Sequence, residues 1–196
     1  MNGHPQTATD CVIGFNLLLG RIATMRLLHT VSFALERGSQ SITICLSSMG
    51  GDPEQAFYAY EILRALRIPI VTYNVGTVQS AAMAVFLAGS VRLAAPHSHF
   101  LMNRTMHSPP ARLSYAKEHL DHSVDSIVAD DERMLAIVSE RTNQPMKAVR
   151  RWHVGQKLRS TEFARTNGII HEVKPVRLSP RGHFLQVTLS EIGSLV

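Results

Sequence analysis

One serine in this 196-residue sequence stands in an unusual setting. Ser80 opens the run Ser80-Ala-Ala-Met-Ala-Val-Phe-Leu-Ala88, eight apolar residues behind a single hydroxyl. A helix that is apolar on every side is buried, so its only hydroxyl lies at the end where backbone N–H groups lack intrahelical partners. Ser80 is there either an N-cap or a nucleophile, held beside an oxyanion hole made from the N–H of Ala81 and that of Gly51. The second donor comes from Leu46-Ser-Ser-Met-Gly-Gly51-Asp-Pro53, where a strand runs straight into two glycines and a helix start. Adjacent glycines accept positive φ and leave amides bare toward an anion or oxyanion, and the same pair also serves as a plain strand-to-helix turn.

The other reactive side chains form weaker patterns. Cys11 and Cys45 each sit in an apolar, strand-like segment and read as buried thiols rather than a disulfide or metal pair, which sets the expectation of a reducing cytoplasm. His119 and His122 have the spacing to share a metal, but no third ligand accompanies them, so they read as a solvated face. No metal or cofactor is expected. The net charge is +5 with a pI near 9.6. Arg150, Arg151, Arg159 and Arg165 are interspersed with apolar and acidic residues and lack an aromatic stacking platform, which argues for a solvated surface and against nucleic acid. The longest apolar run falls well short of the ~20 residues a membrane helix needs, and the first thirty residues lack a basic-then-apolar export pattern. With 45% hydrophobic and 18% charged residues, the composition excludes a disordered tail, a collagen-like fibre and a bare coiled coil.

Strands and helices alternate around these residues. Residues 1–10 are polar and read as a flexible lead-in to a first strand, Cys11 to Phe15. Leu17 to Glu36 carries Leu18, Ile22, Met25, Leu28 and Phe33 at helical spacing. Ser41 to Leu46 reads as a strand buried on both faces. Asp52 is an N-cap candidate before Pro53, opening a helix with Ala59, Ile62, Leu63 and Leu66 on one face. A strand follows from Ile68 to Val75, then the Ser80 to Ala88 helix and short strands at Val91 to Ala94 and His99 to Asn103. From Leu113 to Arg141 the sequence stays helical for about 29 residues, or ~43 Å, long enough to protrude and meet another subunit. Shorter helices at Pro145 to Trp152 and Ser160 to Asn167 precede a strand at Ile169 to Val173. The tail after Pro175 alternates weakly and reads as an edge hairpin. The pattern implies an α/β fold with right-handed crossovers and a largely parallel sheet.

The order of these parts resembles a known family. Strand, Ser-Met-Gly-Gly51, amphipathic helix, Ile68-Pro-Ile-Val-Thr72 strand, Gly76-x-x-x-Ser80-Ala-Ala-Met83 and apolar helix are similar to the proteolytic subunit of the ATP-dependent Clp protease, in its shorter Clp-like branch. The 29-residue interval from Gly51 to Ser80 matches that family without a gap, and the similarity runs over roughly residues 11 to 173. The resemblance implies a ClpP/crotonase-like fold of repeated ββα units, with residues 11–174 as the domain, 113–141 as its long handle helix and 175–196 as a tail. It also implies a homo-oligomer of heptameric rings, often stacked in pairs, with a paralogous Clp subunit as a further partner and no nucleic acid or membrane. In the family the N-terminal region engages an ATPase; with ten residues before the first strand, docking to such a partner is not expected here.

By the same resemblance Ser80 occupies the nucleophile position, with the amides of Gly51 and Ala81 as oxyanion donors. The family's histidine falls at Asn103 when Pro96, Ser98 and Phe100 are matched, and its aspartate falls at or near Gln156. A carboxamide has no basic lone pair near neutral pH, so Asn103 can orient a group but cannot replace an imidazole, and Gln156 cannot stabilise an imidazolium. His107 is a candidate stand-in base, but four extended residues from Asn103 span ~13 Å, so it serves only if the loop folds back. His97 and His99 read as surface or core hydrogen-bonding groups. Three functions follow: a Clp-like serine peptidase with impaired or altered catalysis, a non-catalytic ring subunit, or acyl-CoA chemistry of the crotonase type. The last lacks a carboxylate near the oxyanion segments beyond Asp52 and Glu54, which read as helix-cap residues.

Overall fold

The computed structural model describes residues 9–105, 117–177 and 183–189. Along the chain run β1 (Thr9–Phe15), α1 (Arg21–Glu36), β2 (Ser39–Ser48), α2 (Pro53–Ala65), β3 (Ile70–Gln79), α3 (Ala82–Leu87), β4 (Val91–Ala94) and β5 (His99–Leu101). After them come α4 (Lys117–Thr142), α5 (Met146–Gly155), β6 (Leu158–Arg159), α6 (Thr161–Thr166), β7 (Glu172–Val173) and β8 (His183–Gln186). Among the described residues the strands form one sheet in the order β6-β5-β3-β2-β1-β8, with β4 and β7 branching from β3. Every pairing is parallel except β5 with β6.

The β-branched run in β2 explains its central place. Ile42, Ile44 and Leu46 point into the main core, while Cys45 on the opposite face joins Tyr73 and Leu93 in a smaller apolar cluster. In α1 the inward face differs from the one the large residues suggest. Ala23, Thr24, Leu27, Val31 and Ala34 are buried, whereas Leu18, Ile22, Met25 and Phe33 are exposed. The helix lies close enough to the sheet that small side chains fill its inner face. Asp52 does cap α2, accepting from the N–H groups of Glu54 and Gln55 at 2.9 and 3.4 Å.

β3 runs four residues past the expected strand end because it changes partner along its length. Val71 to Asn74 pair with β4, and Thr77 to Gln79 pair with β5. Buried Asn74 bridges the change, donating from Nδ2 to the His99 carbonyl at 2.9 Å and accepting the Gly76 N–H at 3.0 Å. That extension carries the chain to Ser80 and into α3, all six of whose residues are buried. The segment expected as a strand through Asn103 ends at Leu101, and Ile169 to Val173 yields only the short β7. Residues 183–186 form an edge strand parallel to β1, and the rest of the tail expected as an edge hairpin lies largely outside the described residues.

Behind α3, buried Arg92 gathers four carbonyls. Nε donates to Ile169 at 2.8 Å, Nη1 to Gly89 at 3.3 Å, and Nη2 to Arg141 and Gly168 at 3.1 and 3.0 Å. Burial, with Arg141 and Arg64 nearby, pushes the guanidinium down to about 10. Arg92→Met would strand these acceptors other than Gly89, which also accepts from Arg141 at 3.0 Å. The expected loss is about 2–3 kcal/mol, read as a melting temperature roughly 5–10 °C lower.

Candidate active site

Ser80 sits at the turn from β3 into α3 with φ of 50°, a left-handed conformation uncommon for a residue with a Cβ. The turn is fastened on both sides. The Ser80 N–H donates to the Leu101 carbonyl at 2.9 Å, and the Ser80 carbonyl accepts from Met83 at 3.0 Å. Gly50 and Gly51 face it with φ of 102° and 138°. A Cβ on Gly50 would lie 2.7 Å from the Ser80 Cβ, so a glycine is required for the two turns to approach this closely.

The glycine turn is held by its own hydrogen bonds. Leu19 donates to the Gly50 carbonyl and accepts from the Asp52 N–H, both at 2.7 Å. The Ser48 hydroxyl donates to the Leu17 carbonyl at 2.7 Å and accepts the Gly50 N–H at 3.2 Å. These bonds leave out the Gly51 N–H, and no described group accepts from it or from the Ala81 N–H. Two main-chain donors thus stand beside one hydroxyl, the arrangement that stabilises negative charge developing on a carbonyl oxygen.

Ser80, Ala81 and Gly51 line one cavity of about 200 Å³ together with Met49, Pro53, Phe57, Asn103, Thr105 and Met134. None of these nine side chains is ionisable. Asn103 lies just beyond β5. Among the described residues its Nδ2 donates to the neighbouring Arg104 carbonyl alone, at 3.4 Å, and its buried Oδ1 has no partner. Gln156 does not join them. It is exposed and ends α5 with a left-handed φ of 43°. His97, His99 and His122 are exposed. His107 and the side chain of His119 fall outside the described residues, among which no cluster of three or more metal-ligating side chains occurs.

The walls contributed by Met49, Phe57, Thr105 and Met134 have no signature in the sequence. Neither does a pair behind them, buried His153 and half-buried Asp131. His153 on α5 places Nε2 3.1 Å from Asp131 Oδ1 on α4, and that oxygen also accepts the Thr105 N–H at 2.8 Å. The sequence marks Asp131 as part of a polar face, but the helix turns it inward. Burial pushes its carboxyl up, yet the bonds from Thr105 and His153 outweigh this and hold it below the usual 3.8. A carboxyl lowered on folding adds stability above its unfolded pKa and loses that contribution as pH falls through the folded value. Asp131→Asn is therefore expected to weaken the fold at neutral pH and flatten the decline in unfolding midpoint below about pH 4. Denaturant titrations of both proteins across acid pH check this.

Comparison with known proteins agrees with this architecture. A relative from Pleurastrum terricola, named ATP-dependent Clp protease proteolytic subunit, is 26% identical over 134 residues, covering 67% of this chain and 66% of that protein. A proteolytic subunit 2 from Treponema denticola is 33% identical over 70 residues, 35% of each chain. The structure of a ClpP1 point variant from Listeria monocytogenes superposes with a TM-score of 0.72 at 18% identity, covering 87% of this chain and 93% of that one, which shows a shared fold. The family model described as Clp protease matches residues 22–177, and the chain belongs to that family.

Proposed function

We propose that this chain is a Clp-type ring subunit whose serine pocket keeps the oxyanion donors but lacks efficient proton transfer. One observation carries the reading: the pocket that joins Ser80 to the Gly51 and Ala81 amides has Asn103 on its wall and no imidazole or carboxylate among the described residues that line it. A serine hydroxyl attacks slowly until a neighbour takes its proton. Exposed Leu18, Ile22, Met25 and Phe33, before and along α1, form an apolar stripe suited to burial against a neighbouring copy. In this reading the assembly is a heptameric ring or stacked rings in the cytoplasm. A purely structural subunit beside an active paralogue is the second reading, favoured by the same uncharged pocket.

A serine-directed fluorophosphonate tests the catalytic part. The protein is expected to take up little or no label in the time that saturates a fully active serine peptidase. Rapid labelling that disappears in Ser80→Ala would overturn impaired catalysis. Native mass spectrometry reads the ring.

A further inference from the structure

Residues 103–105 form the pocket wall opposite the glycine turn, yet they belong to no strand or helix. Among the described residues, the Thr105 N–H to Asp131 bond is what ties them to another element. Asp131 in turn lies against His153, which is 3% exposed: its Nε2 is 3.1 Å from Asp131 Oδ1, and neither ring nitrogen completes a hydrogen bond among the described residues. Next to Asp131 along α4, Glu132 takes both terminal nitrogens of Arg150 on α5 at 2.8 and 3.0 Å. Arg133 pairs with Glu54 and lies 4.1 Å over the ring of Phe57, and Met134 enters the cavity. The four consecutive residues from Asp131 to Met134 therefore bind the wall, α5, α2 and the pocket in turn.

We propose that half-buried Asp131 and buried His153 are a positioning pair that sets the Asn103–Thr105 wall, and through it the seating of an extended peptide at Ser80. The peptide part rests on the Clp-type reading above. A carboxylate oxygen that accepts the Thr105 N–H and lies 3.1 Å from an imidazole nitrogen on another helix ties the wall to both elements. Removing His153 strips a half-buried carboxylate of its neighbouring imidazole, and the wall shifts as water enters. Neither side chain touches the reacting atoms, so the role is positional rather than catalytic.

Ser80→Cys makes the pocket readable whether or not the serine is active, because Cys11 and Cys45 are buried. In that background, alkylation of residue 80 by a peptidyl chloromethyl ketone is compared with alkylation by iodoacetamide. His153→Leu and Asp131→Ala are expected to lower the peptide-to-iodoacetamide rate ratio ~10-fold, because small displacements of a positioning wall weaken oriented reactions steeply. His153→Gln, which keeps an N–H toward Asp131, is expected to retain most of the ratio. A ratio unchanged in all three variants, with lowered melting temperatures, would mean a merely structural pair and overturn the proposal. If the parent shows no preference for the peptide reagent, the Clp-type seating fails on its own. The positioning is then judged by hydrogen exchange in the unaltered protein, where slow exchange at the Thr105 amide supports it and exchange at the rate of a free loop overturns it.

Discussion

Asn103→His is expected to raise the rate at which a fluorophosphonate labels Ser80 by about 10²-fold, the low end of what a positioned general base contributes. The pocket needs little else for the first step. The Ser80 turn is fastened by Leu101 and Met83, the amides of Gly51 and Ala81 have no acceptor among the described residues, and residue 103 already lines the cavity. An imidazole at that position supplies the basic nitrogen that a carboxamide lacks. Full recovery is not expected. Gln156 is exposed at the end of α5, so nothing at the family's aspartate position orients the new ring or stabilises its cation. The check is the second-order labelling constant of Asn103→His against the parent, with Ser80→Ala carried through both. Equal constants would show that the obstacle lies elsewhere in the pocket.

Gly51→Ala is expected to lower stability by about 3 kcal/mol or more, through left-handed strain and main-chain overlap together. At φ of 138° the added Cβ would come within 2.1 Å of the Leu19 carbonyl oxygen and 2.7 Å of the Leu19 nitrogen, and backbone cannot rotate aside as a side-chain tip can. For a domain of this size the melting temperature would fall on the order of 10 °C. The bridge to Leu19 would open, carrying the Gly51 N–H out of place. Differential scanning calorimetry reads the first effect, and loss of any Ser80 labelling in Asn103→His/Gly51→Ala reads the second. A variant that melted with the parent would show the turn to be slack.

Features set by adjacent residues could be read from the sequence, and features set by distant ones could not. Asp52 and Pro53 announce α2 because a cap and the first turn are local, and the apolar run after Ser80 announces a buried helix for the same reason. The α1 face was hidden because large residues dominate any pattern, while the sheet admits Ala23, Thr24 and Ala34. β3 was read short because its extension depends on a change of partner around Asn74, which involves His99, 25 positions away. Asp131 and His153 meet across two helices, and the acidic run Asp130-Asp131-Glu132 looks solvent-facing until α5 is laid against it. Asn103 carries no signal of its own. Only its alignment with a family histidine draws notice to it.

The hydrogen bonds that shape the glycine turn all serve Leu17, Leu19, Ser48 and Asp52, residues with no part in chemistry. The Gly51 N–H, which has no acceptor among the described residues, is therefore left bare as a by-product of folding. Selection for a well-assembled scaffold alone would preserve that turn in any lineage, whatever stands at positions 103 and 156. In such lineages an intact oxyanion cradle records descent, and the residue facing it across the cavity is the better witness to present use.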